Sequence, residues 1–358
     1  MVFDAFVHHN VRCELTAMHA ITCSADQSPF LTSLISAFQD ADFCYAVMHL
    51  QGVDLSFHLA QIERRMATRE IILYGAELIL AIEACHKLGF VHRDIKPANI
   101  IVGPGGHITL ADYSIACFPK EGVENAVIKD DEQVMASGLT CAPEQLPVGN
   151  PYNYKVDIWT FGLVLLELFI GECGPYFRAT KGDVFPGEYE ILHRNIARDV
   201  DLYVDTRAGR DFLKKVLERD PERRLSIEEI KAHPFFHEID GFTWEKCARG
   251  EIPVMFRPER PTGIERFVRN VVPRPETPQL TAAGRYPVAL KFDDPIFDFH
   301  CAADRLAVDA CIYTSWVSDE LEEGEVEARG VVSDSLIARA SSSAPQGSTE
   351  SDMDVEIL

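Results

Sequence analysis

Hydrophobic positions divide this chain into segments of different period. Ile71, Leu78, Ile82 and Cys85 recur at helical spacing and predict an amphipathic helix ending a few residues ahead of His92. Phe43 to Leu50 reads as a strand. Two short apolar runs, Ile100-Ile101-Val102 and His107-Ile108-Thr109-Leu110, flank the turn sequence Gly103-Pro104-Gly105-Gly106 and predict a hairpin. The longest apolar run, Ile158 to Ile170, is interrupted by Glu167 and is shorter than the roughly 20 residues that span a bilayer, so it reads as a buried helix. From Ser318 onward Glu, Asp and Ser dominate, with Ser341-Ser342-Ser343 near the end. Such a segment buries too little apolar area to offset its ordering entropy, and it is expected to be disordered, a phosphorylated or partner-binding tail.

Between the predicted helix and the hairpin lies Val91-His92-Arg93-Asp94-Ile95-Lys96-Pro97-Ala98-Asn99. A carboxylate, a cation and an amide on one short loop between apolar anchors suit phosphoryl transfer. Asp94 would orient an attacking hydroxyl, Lys96 would stand near the transferring phosphoryl, and Asn99 would offer an oxygen to magnesium. The spacing resembles the catalytic loop of protein kinases, H-R-D-x-x-x-x-N. The alternative, a charged surface turn between two strands, leaves the five matches unexplained. After the hairpin, Asp112-Tyr113-Ser114 resembles the D-F-G motif, whose aspartate chelates the magnesium bridging the nucleotide phosphates. Tyr113 keeps an aromatic side chain, whereas Ser114 stands where a glycine would give freedom at positive φ.

The resemblance continues on both sides. Cys141-Ala142-Pro143-Glu144 is similar to the A-P-E that closes a kinase activation segment, and Asp157-Ile158-Trp159-Thr160-Phe161-Gly162 to the D-x-W-x-x-G opening the central helix. Arg219-Asp220-Pro221-Glu222-Arg223-Arg224-Leu225 is similar to the segment whose arginine pairs with that glutamate, which implies an Arg224–Glu144 ion pair. His233-Pro234-Phe235-Phe236 resembles the end of the helical lobe. Upstream, the resemblance makes Met48 a gatekeeper, places the backbone of His49 and Gln51 against adenine, Asp54 on the ribose hydroxyls and Ile101 in the nucleotide site. Cys13 to Ile21, followed by Pro29-Phe30-Leu31, resembles the regulatory helix and the strand after it. Glu14 is then either that helix's functional acid or an ordinary solvated one. Met18, Leu34, His92 and Tyr113 would stack as a spine resting on Asp157. Ser137 falls where a Ser or Thr usually contacts the catalytic aspartate. Asp130, Asp131 and Glu132, beside Gln133, either substitute for an activating phosphate by pairing Arg93 or form a solvated acidic loop.

Lys96, two positions after Asp94, resembles serine/threonine rather than tyrosine kinases. Ile239-Asp240 through Trp244 and Gly250-Glu251-Ile252-Pro253 resemble the C-terminal extension of AGC kinases, with Phe292 to Phe299 either its aromatic end or a short packing segment. The implied fold is α+β, a two-lobed kinase-like fold with a mostly helical C-lobe and a reduced N-lobe sheet. The expected organisation is a partial N-lobe over 1–50, a C-lobe over 51–237, an AGC-like extension over 238–317 and the acidic tail over 318–358.

Composition narrows the partners. The net charge of −22 argues against nucleic acid and anionic membranes, and residues 318–358 hold eleven acids against Arg329 and Arg339. Ten cysteines without a C-x-x-C pair, and a start lacking a signal-peptide pattern, predict a reduced intracellular setting, cytoplasmic or nuclear. The first glycine is Gly52 and the first lysine Lys87, so no glycine-rich loop or third-strand lysine precedes Glu14. Two readings follow. One is a protein serine/threonine kinase, or a fragment of one, using ATP and Mg2+ on a protein hydroxyl. The other is a pseudokinase that binds protein partners without catalysis.

Overall fold

The computed structural model describes residues 2–39, 44–49, 52–61, 66–129, 140–146, 149–171, 176–177, 186–254 and 355–357. The elements, in chain order, are α1 (Val2–Thr22), β1 (Ser36–Gln39), β2 (Cys44–His49), β3 (Val53–Asp54), α2 (Leu55–Gln61), α3 (Thr68–Lys87), β4 (Ile100–Val102), β5 (Ile108–Leu110), α4 (Lys155–Ile170), α5 (Pro186–Tyr203), α6 (Arg207–Val216), α7 (Ile227–Lys231), α8 (Trp244–Ala248) and β6 (Val355–Ile357). They fall into two units, Met1–Ser33 with Gln51–Arg274, and Leu34–Leu50 with Pro275–Leu358.

In the larger unit, α3 packs on α4 and β5, and α4 also packs on α5 and α6. The expected buried helix is α4, in which every residue from Val156 to Phe169 is buried. It stops at Gly171, whose φ of 82° is available to glycine at little steric cost and whose N–H bonds the Glu167 carbonyl at 2.9 Å. Helix α3 departs from the amphipathic expectation. Ile72, Leu73, Tyr74, Glu77 and Ile79 are buried along with Ile71, Leu78, Ile82 and Cys85. The reason is tertiary, since α4 covers one side while β5, α8 and the turn Pro234–Glu238 cover others. Buried Glu77 is satisfied by His107 Nδ1 at 2.6 Å and the Ile108 N–H at 2.9 Å.

Gly162 lets α4 and α6 approach closely. A Cβ there would stand 2.7 Å from Val216 Cγ1 and 2.8 Å from Leu217 Cδ2. Gly162→Ala is therefore expected to destabilise the unit by about 1–3 kcal/mol through overpacking, read as a lower urea midpoint at unchanged m-value. The C-terminal side closes on aromatic rings. Phe212 stacks on Phe235 with centroids 4.7 Å apart, and Phe236 meets Trp244 at 4.8 Å. Trp244 Nε1 donates to the Lys231 carbonyl at 2.8 Å, tying α8 to the end of α7.

The hairpin forms as expected, with Ile100↔Leu110, Ile101↔Thr109 and Val102↔Ile108 paired antiparallel, and β3 adds to its other edge. The strand expected at Pro29-Phe30-Leu31 does not form. It reduces to a single parallel bridge, Leu31↔Leu110, because the chain turns there with Leu31 N–H on the Ser28 carbonyl, and Pro29 has no N–H to give.

The smaller unit holds an antiparallel sheet of order β1-β2-β6. The strand expected over 43–50 appears as β2, Cys44–His49, with Phe43 and Leu50 outside the described residues. Val355–Ile357, inside the acidic segment expected to lack order, forms β6 against Val47, Met48 and His49.

Candidate functional site

The loop from Phe90 to Asn99 is built from its ends inward. Val91 makes a two-way bridge with Cys117, N–H to carbonyl at 2.9 Å in both directions. His92 and Arg93 then aim their N–H groups at the fully buried carboxylate of Asp157, at 2.9 Å to Oδ2 and 2.8 Å to Oδ1. His86 Nε2 meets the same Oδ2 at 2.8 Å. Burial would raise the Asp157 pKa, but the His86 hydrogen bond and charge, then His92 and the Arg93 N–H, outweigh it and hold it below the ordinary 3.8. A carboxyl depressed in the fold stabilises it above the unfolded pKa and loses that contribution as pH falls through the folded value. Asp157→Asn is thus expected to destabilise at neutral pH and to flatten the acid limb of a stability profile below about pH 3.8, measured by urea unfolding at several pH values.

This clamp bends the chain sharply. Arg93 takes φ 69°, a left-handed conformation that a non-glycine side chain tolerates only when its surroundings fix it. Its Nε donates to the Ile115 carbonyl at 2.7 Å and its guanidinium to Tyr152 Oη at 3.1 Å. Beyond the bend, Lys96 Nζ donates to Asp94 Oδ2 at 2.5 Å, and Asn99 Nδ2 donates to the same oxygen at 3.0 Å and to the Asp94 carbonyl at 2.9 Å. Both side-chain bonds fall on Oδ2, which leaves Oδ1 for an incoming hydroxyl. The Asn99 amide nitrogen is likewise committed to Asp94, so its oxygen is the atom that can take a metal ion.

Asp112 enters from the end of β5. The preceding Ala111 gives its N–H to the Asn99 carbonyl at 2.9 Å and accepts from His92 Nε2 at 3.2 Å. Asp112 itself has φ 63°. Ser114, where glycine was expected by resemblance, donates from its hydroxyl to Asp112 Oδ1 at 2.7 Å and from its N–H at 3.3 Å, leaving Oδ2 for a cation. Tyr113 is fully buried between Phe90 and His92, with centroids at 5.7 and 5.4 Å. Its hydroxyl, absent from phenylalanine, donates to the Leu110 carbonyl at 2.7 Å and accepts the Thr32 N–H at 3.1 Å. Met18 is buried on α1, while Leu34 belongs to the smaller unit.

Glu14 is not a solvated acid. Burial and then the Asp112 carboxylate push its pKa up to about 8, against a hydrogen bond from the Tyr113 N–H. Among the described residues its Oε2 has no hydrogen-bond partner.

The remaining expected residues divide by unit. Asp54 and Ile101 sit directly opposite each other in the β3–β4 register. Asp54 Oδ1 also accepts the Phe57 N–H at 2.9 Å, capping α2, a role its residue type announces but the resemblance did not. Met48 and His49 lie on β2 of the smaller unit, paired with Glu356 and Val355. Gln51, Asp130, Asp131, Glu132, Gln133 and Ser137 lie outside the described residues.

The implied ion pair is present. Arg224 holds Glu144 with Nη1–Oε1 at 2.6 Å and Nη2–Oε2 at 2.9 Å, and lies 5.1 Å over the Trp159 ring. His193 stacks between Trp159 and Tyr189, and Tyr189 Oη donates to the Cys141 carbonyl at 3.1 Å, so the segment before Glu144 is anchored to α5.

The chain matches the protein kinase domain family over residues 5–236, and it belongs to that family. It is 33% identical over 264 residues to the RAC family serine/threonine-protein kinase homolog of Dictyostelium discoideum, covering 72% of this chain and 54% of that protein. It is 30% identical over 288 residues to protein kinase C delta type of Mus musculus, covering 78% and 39%. With the serine/threonine-protein kinase SCH9 of Saccharomyces cerevisiae it shares 32% identity over 245 residues, covering 66% and 27%. The chain therefore spans about half or less of these curated relatives. Within the family it is of the serine/threonine, AGC-like type, and its fold is the α+β kinase fold with a reduced sheet. No helix among the described residues is long and apolar enough to cross a membrane.

Proposed function

We propose that this chain carries the catalytic centre of a protein serine/threonine kinase, transferring the γ-phosphoryl of ATP to a hydroxyl of a protein substrate. The observation that carries the reading is the Asp94–Lys96–Asn99 cluster, held on a strained loop by Asp157, with Asp112 beside it. The substrate hydroxyl oxygen forms the new bond to γ-phosphorus as the bond to the β–γ bridging oxygen breaks. ADP leaves, and Asp94 Oδ1 accepts the hydroxyl proton. Lys96, anchored on Asp94, places its positive charge where the phosphoryl carries developing negative charge. The Asn99 oxygen and Asp112 Oδ2 are hard oxygen donors suited to Mg2+, which neutralises phosphate charge when bound. Asp54 and Ile101, opposite each other on β3 and β4, would serve the nucleotide site, with Asp54 at the ribose.

The relatives' printed names support a serine/threonine specificity. The observation that favours the rival, a pseudokinase acting as a protein-interaction module, is that Glu14 Oε2 has no hydrogen-bond partner among the described residues. Thermal unfolding with ATP and Mg2+ separates them. At a hundred times the dissociation constant, ATP should stabilise the chain by about 2.7 kcal/mol, and Asp112→Asn should remove the magnesium-dependent part. No shift at millimolar ATP with Mg2+ would favour the non-catalytic reading.

A further inference from the structure

The Phe90–Asn99 loop is gripped twice from one stretch of chain. Asp157 takes the backbone N–H groups of His92 and Arg93, and Tyr152, just ahead of α4, takes the Arg93 side chain, its Oη accepting from Nη1 at 3.1 Å. Arg93 is 7% exposed, so its charge has to be met inside the fold. Its Nε gives a second bond, to the Ile115 carbonyl at 2.7 Å. Tyr152 is buried too, and its backbone exchanges N–H to carbonyl bonds with Ile128 in both directions, at 2.8 and 3.0 Å. One guanidinium thus joins the loop carrying Asp94, the stretch after Asp112 and the segment around Ile128.

We propose that Tyr152 is a positioning residue for phosphotransfer. Its hydroxyl pins the Arg93 side chain, and through it the left-handed turn that presents Asp94, so the seating of the Ile128 segment is felt at Asp94. The inference rests on the reading of Asp94 as proton acceptor. The backbone is what makes the hydroxyl matter. A non-glycine residue at φ 69° keeps that conformation only while its surroundings hold it. Asp94 is the next residue, and its carboxylate is tied to Lys96 and Asn99, so relaxation of the turn carries all three groups with it. A shift of about 1 Å in reacting groups is enough to cost about 100-fold in rate. An apolar ring would fill the same space as Tyr152. What the hydroxyl adds is a directed bond from a charged donor, stronger than a neutral one.

The test compares the full chain as wild type, Tyr152→Phe and Arg93→Lys. Phenylalanine keeps the ring and drops only the hydroxyl, whereas lysine keeps the charge and drops the planar fork. Amide hydrogen exchange is read first, because it needs no turnover. Tyr152→Phe should speed exchange at Arg93 and Asp94 by about 10- to 100-fold, as losing a hydrogen bond to a charged group does, while the core of α4 stays protected. In turnover, Tyr152→Phe should lower kcat by about 10- to 100-fold with KM for ATP unchanged. Adding it to Arg93→Lys should cost little more, since both changes remove the same bond. Unchanged exchange at Arg93 and Asp94, or an equal rise throughout α4, would overturn the proposal. The expected exchange pattern in a chain without turnover would refute the reading of Asp94 while upholding the hold of Tyr152 on Arg93.

Discussion

Asp94→Asn is expected to lower phosphotransfer by about 100- to 10,000-fold, the range typical of losing a positioned proton acceptor. The asparagine is nearly isosteric, and the neighbours that bind Asp94, Lys96 and Asn99, remain in place. ATP affinity, measured by thermal shift, should therefore change little while turnover falls. An active chain whose rate survives Asp94→Asn would remove Asp94 from the mechanism. A chain with no activity before or after the change would bear instead on the catalytic reading as a whole.

Glu144→Ala should be the most damaging single change to the fold. Arg224 is 1% exposed and gives Glu144 two parallel hydrogen bonds, so deleting the acid leaves a guanidinium buried against Trp159 without its counter-charge. Breaking a buried pair from one side typically costs about 3–5 kcal/mol. The guanidinium keeps bonds to the Glu218 and Lys155 carbonyls, which sets the loss toward the lower end. Replacing both partners by apolar residues of similar volume, Glu144→Leu with Arg224→Met, should recover much of the loss. Urea unfolding of the single and double variants measures both statements, and additive losses would show that the pair does not couple.

How much of this was legible in the sequence depended on the range of each interaction. The bent Phe90–Asn99 loop, the hairpin after it and the buried helix α4 were readable because their residues sit at fixed short spacings or in one continuous apolar run. The Arg224–Glu144 pair, 80 positions apart, was reachable only through the family resemblance. What stayed hidden came from unannounced tertiary partners. Nothing near Arg93 points to Tyr152, which lies 59 positions away, and nothing near His86 points to Asp157, 71 positions away. Helix α3 looked amphipathic because its pattern was judged without β5 and α8, which cover its remaining faces. Ser114 looked like a lost glycine, and only the geometry shows its hydroxyl holding Asp112.

The Asp157 clamp also sets when the Phe90–Asn99 loop exists at all. The amides of His92 and Arg93 are held from a helix 65 and 64 positions later in the chain, so no partial structure lacking α4 can shape the loop. The loop and α4 should then open together as one cooperative unit. In native-state hydrogen exchange, the His92 and Arg93 amides, though in irregular backbone, should exchange as slowly as the core of α4.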